Sequence, residues 1–273
     1  MKKKIAFVHN AMWEMYNFRG ELLQELKAKG YEITVICPPD EKNAHYFTDL
    51  GIKLLTVPMS RKGTNIKEDV QLVKNLFKVY KKEKFDLVFH YTIKPNIYGT
   101  LAAKLAGIKS IAITTGLGYV FLHNNITSLI AKFMYKFSLA FANEVWFLND
   151  DDMNIFLDKD LITERQAFKL PSEGINTKRF VPKEKNRKDN KTVFLMIARV
   201  LYDKGFNEYL EAAKLIKAQR NDVEFQLLGA IDSGNPSGVP QSVVEDAVSN
   251  GFINYLGTTS DVLPVISEAD CMV

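Results

Sequence analysis

Cysteine, long apolar runs and clustered histidines are all scarce in this chain of 273 residues, and each scarcity closes off a class of protein. Its two cysteines, Cys37 and Cys271, lie in separate apolar segments without metal-ligand spacing. That argues against a disulfide framework or a zinc ribbon and points to reduced, structural thiols in a cytoplasmic setting. No stretch approaches the ~20 apolar residues of a membrane span. Lys2, Lys3 and Lys4 follow Met1, but the apolar run behind them, Ile5 to Val8, is too short for a signal-peptide core. There is no internal repeat, no low-complexity tract, no nucleophile elbow and no metal-ligand cluster. The loop after Thr114 carries Gly116 and Gly118 but lacks the third glycine of the dinucleotide fingerprint, so a nicotinamide site is not supported.

What is present is the composition of an ordinary globular chain, 47% hydrophobic and 25% charged. The charge is uneven. Residues 1–182 carry 26 Lys and Arg against 19 Asp and Glu, whereas residues 183–273 carry 10 against 13. A basic first half suits an anionic surface or a phosphorylated substrate, or is a solvated lysine-rich face. Nothing in it suggests nucleic acid as a partner.

Short apolar segments alternate with longer helical patterns, which predicts parallel, doubly wound α/β sheets. The pattern predicts strands at Lys4–Val8, Glu32–Cys37, Lys53–Val57, Leu87–His90, Ser110–Thr114 and Glu144–Leu148. Predicted helices cover Arg19–Lys29, Asn43–Leu50, Ile66–Lys82, Pro95–Ala106, Thr127–Ala142 and Asp150–Leu157. Pro171, Gly174, Pro182 and the charged run from Lys183 to Asp189 break the rhythm and read as a linker. A second series follows, with strands at Val193–Ala198, Glu224–Leu228 and Ile253–Leu256 and helices at Phe206–Gln219 and Asp261–Ala269. The expected division is therefore a first domain over 1–171, a hinge over 172–190 and a second domain over 191–273.

Arg199 and Lys204 are the sharpest candidates. They straddle a short loop between an apolar strand and a helix, where two cations and the helix N-terminus suit a diphosphate. Lys94 sits beside Pro95 at a helix start, where a cation is misplaced unless it shares an anion with the helix; the alternative is a solvated lysine. Arg19, after Asn17 and Phe18, poses the same choice at the first helix, against a surface arginine packing its stem over Phe18. Gly116 and Gly118 let backbone amides approach a phosphate or sugar oxygen, or simply make a tight turn. His9 and His90 stand at strand ends but have no evident partner in the sequence. Asp150, Asp151 and Asp152 follow Asn149 and read as a helix N-cap rather than a metal-diphosphate motif. The segment 126–142 is apolar almost all round and is either buried or rests one basic, aromatic face on an anionic membrane.

Together these pieces resemble a bacterial family 4 glycosyltransferase of the GT-B fold. The similar subgroup moves N-acetylhexosamine-type sugars onto polyprenyl-diphosphate-linked acceptors for capsule, O-antigen or glycoprotein glycans. The resemblance rests on Asn17–Arg19, Lys94–Gly99, Thr115–Tyr119, Gly174–Phe180, Ile197–Arg199, Asp203–Gly205, Gly229–Pro236 and Tyr255–Gly257, which occur in the family's order. It implies two Rossmann-like domains, a retaining reaction, a UDP-sugar donor and no metal or other cofactor. It also implies that Arg199 and Lys204 hold the donor diphosphate and neutralise the leaving group. Gly116, Gly118, Lys94, Arg19, Asn17, Gly229 and Asn235 then belong to the substrate-binding set. The enzyme is expected in the cytoplasm, peripheral to the inner face of the membrane.

The chain departs from the family at two places. The loop directly after the fifth strand, Thr114 to Tyr119, reads Thr-Thr-Gly-Leu-Gly-Tyr, so no family histidine carries over there, and the family's paired glutamates are expected beyond Val273. On that reading the second domain is incomplete and the chain alone is inactive. Two alternatives remain: a non-catalytic chain that binds a lipid-linked glycan or a separate donor-binding subunit, and a sugar-nucleotide epimerase. The epimerase expects extra acidic and histidine residues in the second domain, and none stand out.

Overall fold

A computed structural model describes residues 2–60, 65–117, 121, 126–185, 187 and 190–273. Two compact units result, Met1–Gly174 and Ile175–Val273.

The first strand, β1 (Lys4–Val8), shows why the first unit is layered. Ile5 and Phe7 enter one apolar cluster, and Ala6 and Val8 enter another on the opposite face. A strand buried on both faces is the mark of a parallel sheet covered by helices on each side. The strands β2 (Glu32–Cys37), β3 (Lys53–Thr56), β4 (Leu87–Tyr91), β5 (Lys109–Thr114), β6 (Glu144–Phe147) and β7 (Ala167–Lys169) complete it. All pair in parallel, in the order β3-β2-β1-β4-β5-β6-β7. The order reverses between β1 and β4, and ligands of open α/β sheets bind at the carboxyl ends of such a pair.

Helices α1 (Met12–Ala28) and α2 (His45–Asp49) supply Met12, Met15, Leu23 and Phe47 to one face. Helices α3 (Ile66–Glu83) and α4 (Thr100–Ala106) supply Leu72, Leu76, Tyr80 and Ala103 to the other. Asn65 caps α3 by accepting from the amides of Lys67 and Glu68, while Lys81 and Lys82 occupy the last turn, where cations suit the helix dipole. Two more helices, α5 (Ile126–Leu139) and α6 (Asp150–Asp158), cover β5 and β6 through Tyr135, Leu139 and Phe156. The Asn149 side chain accepts from the Asp152 amide at 2.7 Å, so the three aspartates open α6 as an N-capped first turn.

In the second unit β8 (Thr192–Ile197), β9 (Val223–Leu228), β10 (Asn254–Gly257) and β11 (Cys271–Met272) form a parallel sheet ordered β10-β9-β8-β11. Its helices are α7 (Phe206–Lys217), α8 (Gln241–Ser249) and α9 (Leu263–Glu268). Phe206, Tyr209, Phe225, Val244 and Ile253 are among the residues of its core.

Several expectations need correction. Helix α1 begins at Met12, so Asn17 and Arg19 lie inside it and do not open it. Strand β7 and helix α8 were not expected at all. The segment Pro95–Gly99 is a wide, π-type turn leading into α4. In the segment read as a hinge, Lys185 and Arg187 both bond to Asp270, which also accepts from the Val193 amide at 2.7 Å. Those bonds hold the Asp270 carboxyl down, at about 2. Helix α5 is neither wholly buried nor wholly exposed. Ser128, Tyr135, Ser138 and Leu139 face inward, while Leu129, Ile130, Phe133 and Phe137 are 52–68% exposed on its outer face. No described helix is long and apolar enough to cross a membrane.

Candidate functional site

In the second unit the candidate site is a pair of loops that leave the carboxyl ends of β8 and β9 together. Val200 donates to the Ala230 carbonyl at 3.0 Å and accepts from Val239 at 3.2 Å, and Tyr202 donates to Ser237 at 2.8 Å. Gly229 is needed for this fit, because a Cβ there would lie 1.7 Å from the Ala198 carbonyl oxygen. Asn235 closes the second loop, its side-chain oxygen accepting from the Ser237 amide at 3.0 Å. The Asp203 amide donates to the Ser237 hydroxyl at 3.0 Å.

This platform presents the two cations. Arg199 is exposed, and its Nη1 donates to Asp232 Oδ2 at 3.3 Å, which braces the guanidinium from the second loop. Lys204 ends the short turn Tyr202–Lys204, directly before α7, and is exposed with no ion pair to another described residue. An exposed cation at a helix start, held by a loop that is itself pinned, is suited to an anion shared with the helix N-terminus.

In the first unit the residues gather at the carboxyl ends of β1, β4 and β5. Arg19 is buried, paired with Glu173, and stacked with its guanidinium carbon 4.4 Å from the centre of the Tyr91 ring. Burial lowers its proton affinity, opposed by Tyr91 and Glu14, and burial raises the Tyr91 hydroxyl in turn. His9 is buried beside it. Its Nδ1 accepts from the Ala11 amide at 2.9 Å, and its Nε2 lies 3.8 Å from Glu14. Asn17 is exposed on the outer side of the same helix.

Lys94 is neither solvated nor free. It is buried, with Nζ 2.7 Å from Asp69 Oδ1 and 2.8 Å from the Ser60 hydroxyl. The other oxygen of Asp69 accepts from Tyr98 at 2.8 Å. The pair helps line an open groove of about 630 Å³, together with Met59 and Leu72.

His90 is structural. Fully buried, its Nε2 meets the Tyr80 hydroxyl at 2.9 Å and its Nδ1 the Thr100 hydroxyl at 3.3 Å. Burial pushes its pKa down to about 3, so it stays neutral and has no route to a substrate proton.

A smaller cavity of about 160 Å³ lies between the ends of β4 and β5, and Gly116 forms part of its wall. Gly116 has φ +129°, a conformation that L side chains rarely adopt. Gly118 lies outside the described residues. Thr92, at the end of β4, has φ +70°, a costly conformation for a β-branched residue, about 1–3 kcal/mol by analogy with other strained positions. The Thr92 and Thr114 hydroxyls and the Asn96 side-chain oxygen line this cavity, and each is buried without a hydrogen-bond partner among the described residues. These three, with Glu173, Asp232 and Asp69, are the residues that sequence reasoning did not single out. Asn96 and Asp232 fall within the family-like segments Lys94–Gly99 and Gly229–Pro236, Thr92 and Thr114 stand at the carboxyl ends of β4 and β5, and nothing in the sequence marks Asp69 or Glu173.

Residues 4–149 match the family described as glycosyl transferase 4-like. The chain is 30% identical over 289 residues to an N,N'-diacetylbacillosaminyl-diphospho-undecaprenol alpha-1,3-N-acetylgalactosaminyltransferase of Campylobacter jejuni, covering 99% of this chain and 73% of that protein. It is 26% identical over 196 residues to a UDP-Gal:alpha-D-GlcNAc-diphosphoundecaprenol alpha-1,3-galactosyltransferase of Escherichia coli, covering 68% of this chain and 50% of that protein. Among solved structures, a glycosyltransferase from Rickettsia africae superposes with a TM-score of 0.75 at 20% identity, over 99% of this chain and 72% of that one. That likeness carries the fold, two Rossmann-like parallel sheets of GT-B type. With the family match and the 30% identity, the chain belongs to the glycosyl transferase 4-like family and is a glycosyltransferase.

Proposed function

We propose that the protein moves a sugar of N-acetylhexosamine type from a UDP-sugar to a polyprenyl-diphosphate-linked acceptor, with retention at the anomeric carbon, during assembly of a surface or protein-linked glycan. The observation that carries this reading is the pinned loop after β8 with exposed Arg199 and Lys204 at its two ends. As the bond from anomeric carbon to phosphate oxygen breaks, its electron pair stays on the diphosphate. The two cations stabilise that charge, and no metal ion is needed. The relatives' names support the kind of donor and acceptor, since they specify UDP-Gal and undecaprenol-linked diphosphate sugars. Arg19, Lys94, Gly116, Gly118 and Asn17 belong to the acceptor side, with Arg19 and Lys94 contributing through their buried pairs. A lipid-linked acceptor also gives a use to the outer face of α5, where Phe133 and Phe137 flank Lys136. An apolar stripe with a cation in it suits peripheral contact with an anionic membrane surface.

The test is to assay the full-length protein that carries this chain with labelled UDP-N-acetylgalactosamine, UDP-N-acetylglucosamine and UDP-galactose and an undecaprenyl-diphosphate-linked N-acetylhexosamine. The expected result is labelled lipid, with the new linkage in the donor's anomeric configuration by NMR. Charge-assisted contacts contribute about 1.5–3 kcal/mol each. Arg199→Ala and Lys204→Ala should therefore each slow turnover by about tenfold or more. An inverted product, or variants as fast as the parent, would overturn the reading.

A further inference from the structure

We infer that the 160 Å³ cavity between β4 and β5 is a subsite for the acetamido group of the acceptor's sugar; this rests on the acceptor class proposed above. Its chemistry is specific. Asn96 commits its amide nitrogen to the Ile113 carbonyl at 3.0 Å, which fixes the side chain so that Oδ1 faces away as an obligate acceptor. Asn96 is 1% exposed and Thr114 is 4% exposed, and neither Asn96 Oδ1 nor the Thr114 hydroxyl has a partner among the described residues. The Thr92 hydroxyl is in the same condition, on a residue held at positive φ. Buried polar groups are rarely left unpaired, and such a cluster at the mouth of a sheet marks a place where a ligand completes the bonding.

The ligand must be neutral. Among the described residues no charged side chain lines the cavity, so a phosphate there would be desolvated without a counter-charge from them. It must also offer both a donor and an acceptor. A secondary amide does so: its N–H meets Asn96 Oδ1, and its carbonyl accepts from a threonine hydroxyl. Its methyl then lies against Ile93 and Ile113, which form apolar wall. A plain hydroxyl leaves that wall unused and satisfies fewer of the three atoms. The volume is about five times the ~30 Å³ share of one water, enough for an acetamido group and the adjoining ring edge but not for a nucleoside. Tyr135 closes the cavity from the inner face of α5, the helix whose outer face carries the apolar stripe.

Saturation-transfer NMR on the whole chain tests this without requiring turnover. The probes are the methyl glycoside of N-acetylglucosamine and methyl glucoside. The parent chain is expected to saturate the acetyl methyl of the first probe and to leave the second unlabelled. Thr114→Val removes one hydroxyl at nearly constant shape and should weaken binding of the acetamido probe about tenfold. Thr114→Ser, which keeps the hydroxyl, should bind like the parent. Because the Thr114 hydroxyl has no partner among the described residues, valine should leave the melting temperature unchanged or higher, so a lost signal is not a lost fold. Absence of an acetyl-methyl signal from the parent, or equal signals from the parent and Thr114→Val, overturns the subsite. Transfer to lipid-linked acceptor with no acetyl-methyl signal removes the subsite alone. A signal without any transfer leaves the subsite standing and removes the proposed reaction.

Discussion

Replacing Lys94 by methionine decides what that lysine is for. Its ammonium lies 2.7 Å from Asp69, and both side chains are 10% exposed. At an effective dielectric of about 20 the attraction across that distance is about 6 kcal/mol before desolvation is subtracted. Lys94→Met removes the attraction but leaves Asp69 buried with the Tyr98 hydroxyl as its remaining side-chain partner among the described residues, and breaking a buried pair from one side costs about 3–5 kcal/mol. At roughly 2–4 °C per kcal/mol for a unit of this size, the first unit should melt roughly 6–20 °C lower. Asp69→Asn in the same background removes the stranded charge while keeping an acceptor for Tyr98, and most of the loss should return. The assay is differential scanning calorimetry of the parent, both single variants and the double variant. A Lys94→Met melting temperature within 2 °C or so of the parent, or a double variant no better than the single, would refute the structural role and favour a lysine that grips substrate.

Two further outcomes are expected. His90 titrates at about 3 in the folded chain and near 6.5 when unfolded, so below pH 6.5 the unfolded state binds a proton that the folded state excludes. Stability should fall with acid by roughly 1.4 kcal/mol per pH unit from this group between those values, and His90→Gln should make the acid limb of a urea-denaturation pH series shallower by about one proton. Sedimentation with vesicles should rise with anionic lipid and fall with salt, and Phe133→Ser with Phe137→Ser should weaken it at constant melting temperature; binding indifferent to lipid charge would argue against the α5 face.

The strands were legible because β-branched and aromatic runs such as Ile33–Cys37 and Val193–Ile197 leave little else to form. Helix α1 was legible only from its second half. Its start has no side-chain cap at Ala11, and Met12, Trp13, Met15 and Tyr16 read as readily as a loop or strand. Helix α8 opens after Pro240 with neither a cap nor an acidic first turn, and β7 is three residues long, too short for any period. The β8 loop with Arg199 and Lys204 was visible because one local strand-loop-helix unit contains it. The partners of Lys94 and Arg19 were not visible, since Asp69 lies 25 residues before Lys94 and Glu173 lies 154 after Arg19. The unpaired atoms of Thr92, Asn96 and Thr114 have no sequence signature either. They come together only where two strand ends and α5 converge.

The central claim, that the β8 loop grips a donor diphosphate, is tested most directly by calorimetric titration of the chain with UDP and with uridine. UDP should bind at least about tenfold more tightly than uridine, and Arg199→Ala and Lys204→Ala should each remove most of that difference while leaving uridine binding unchanged. Equal affinity for UDP and uridine in the parent chain, or a preference for UDP that survives both substitutions, would contradict it.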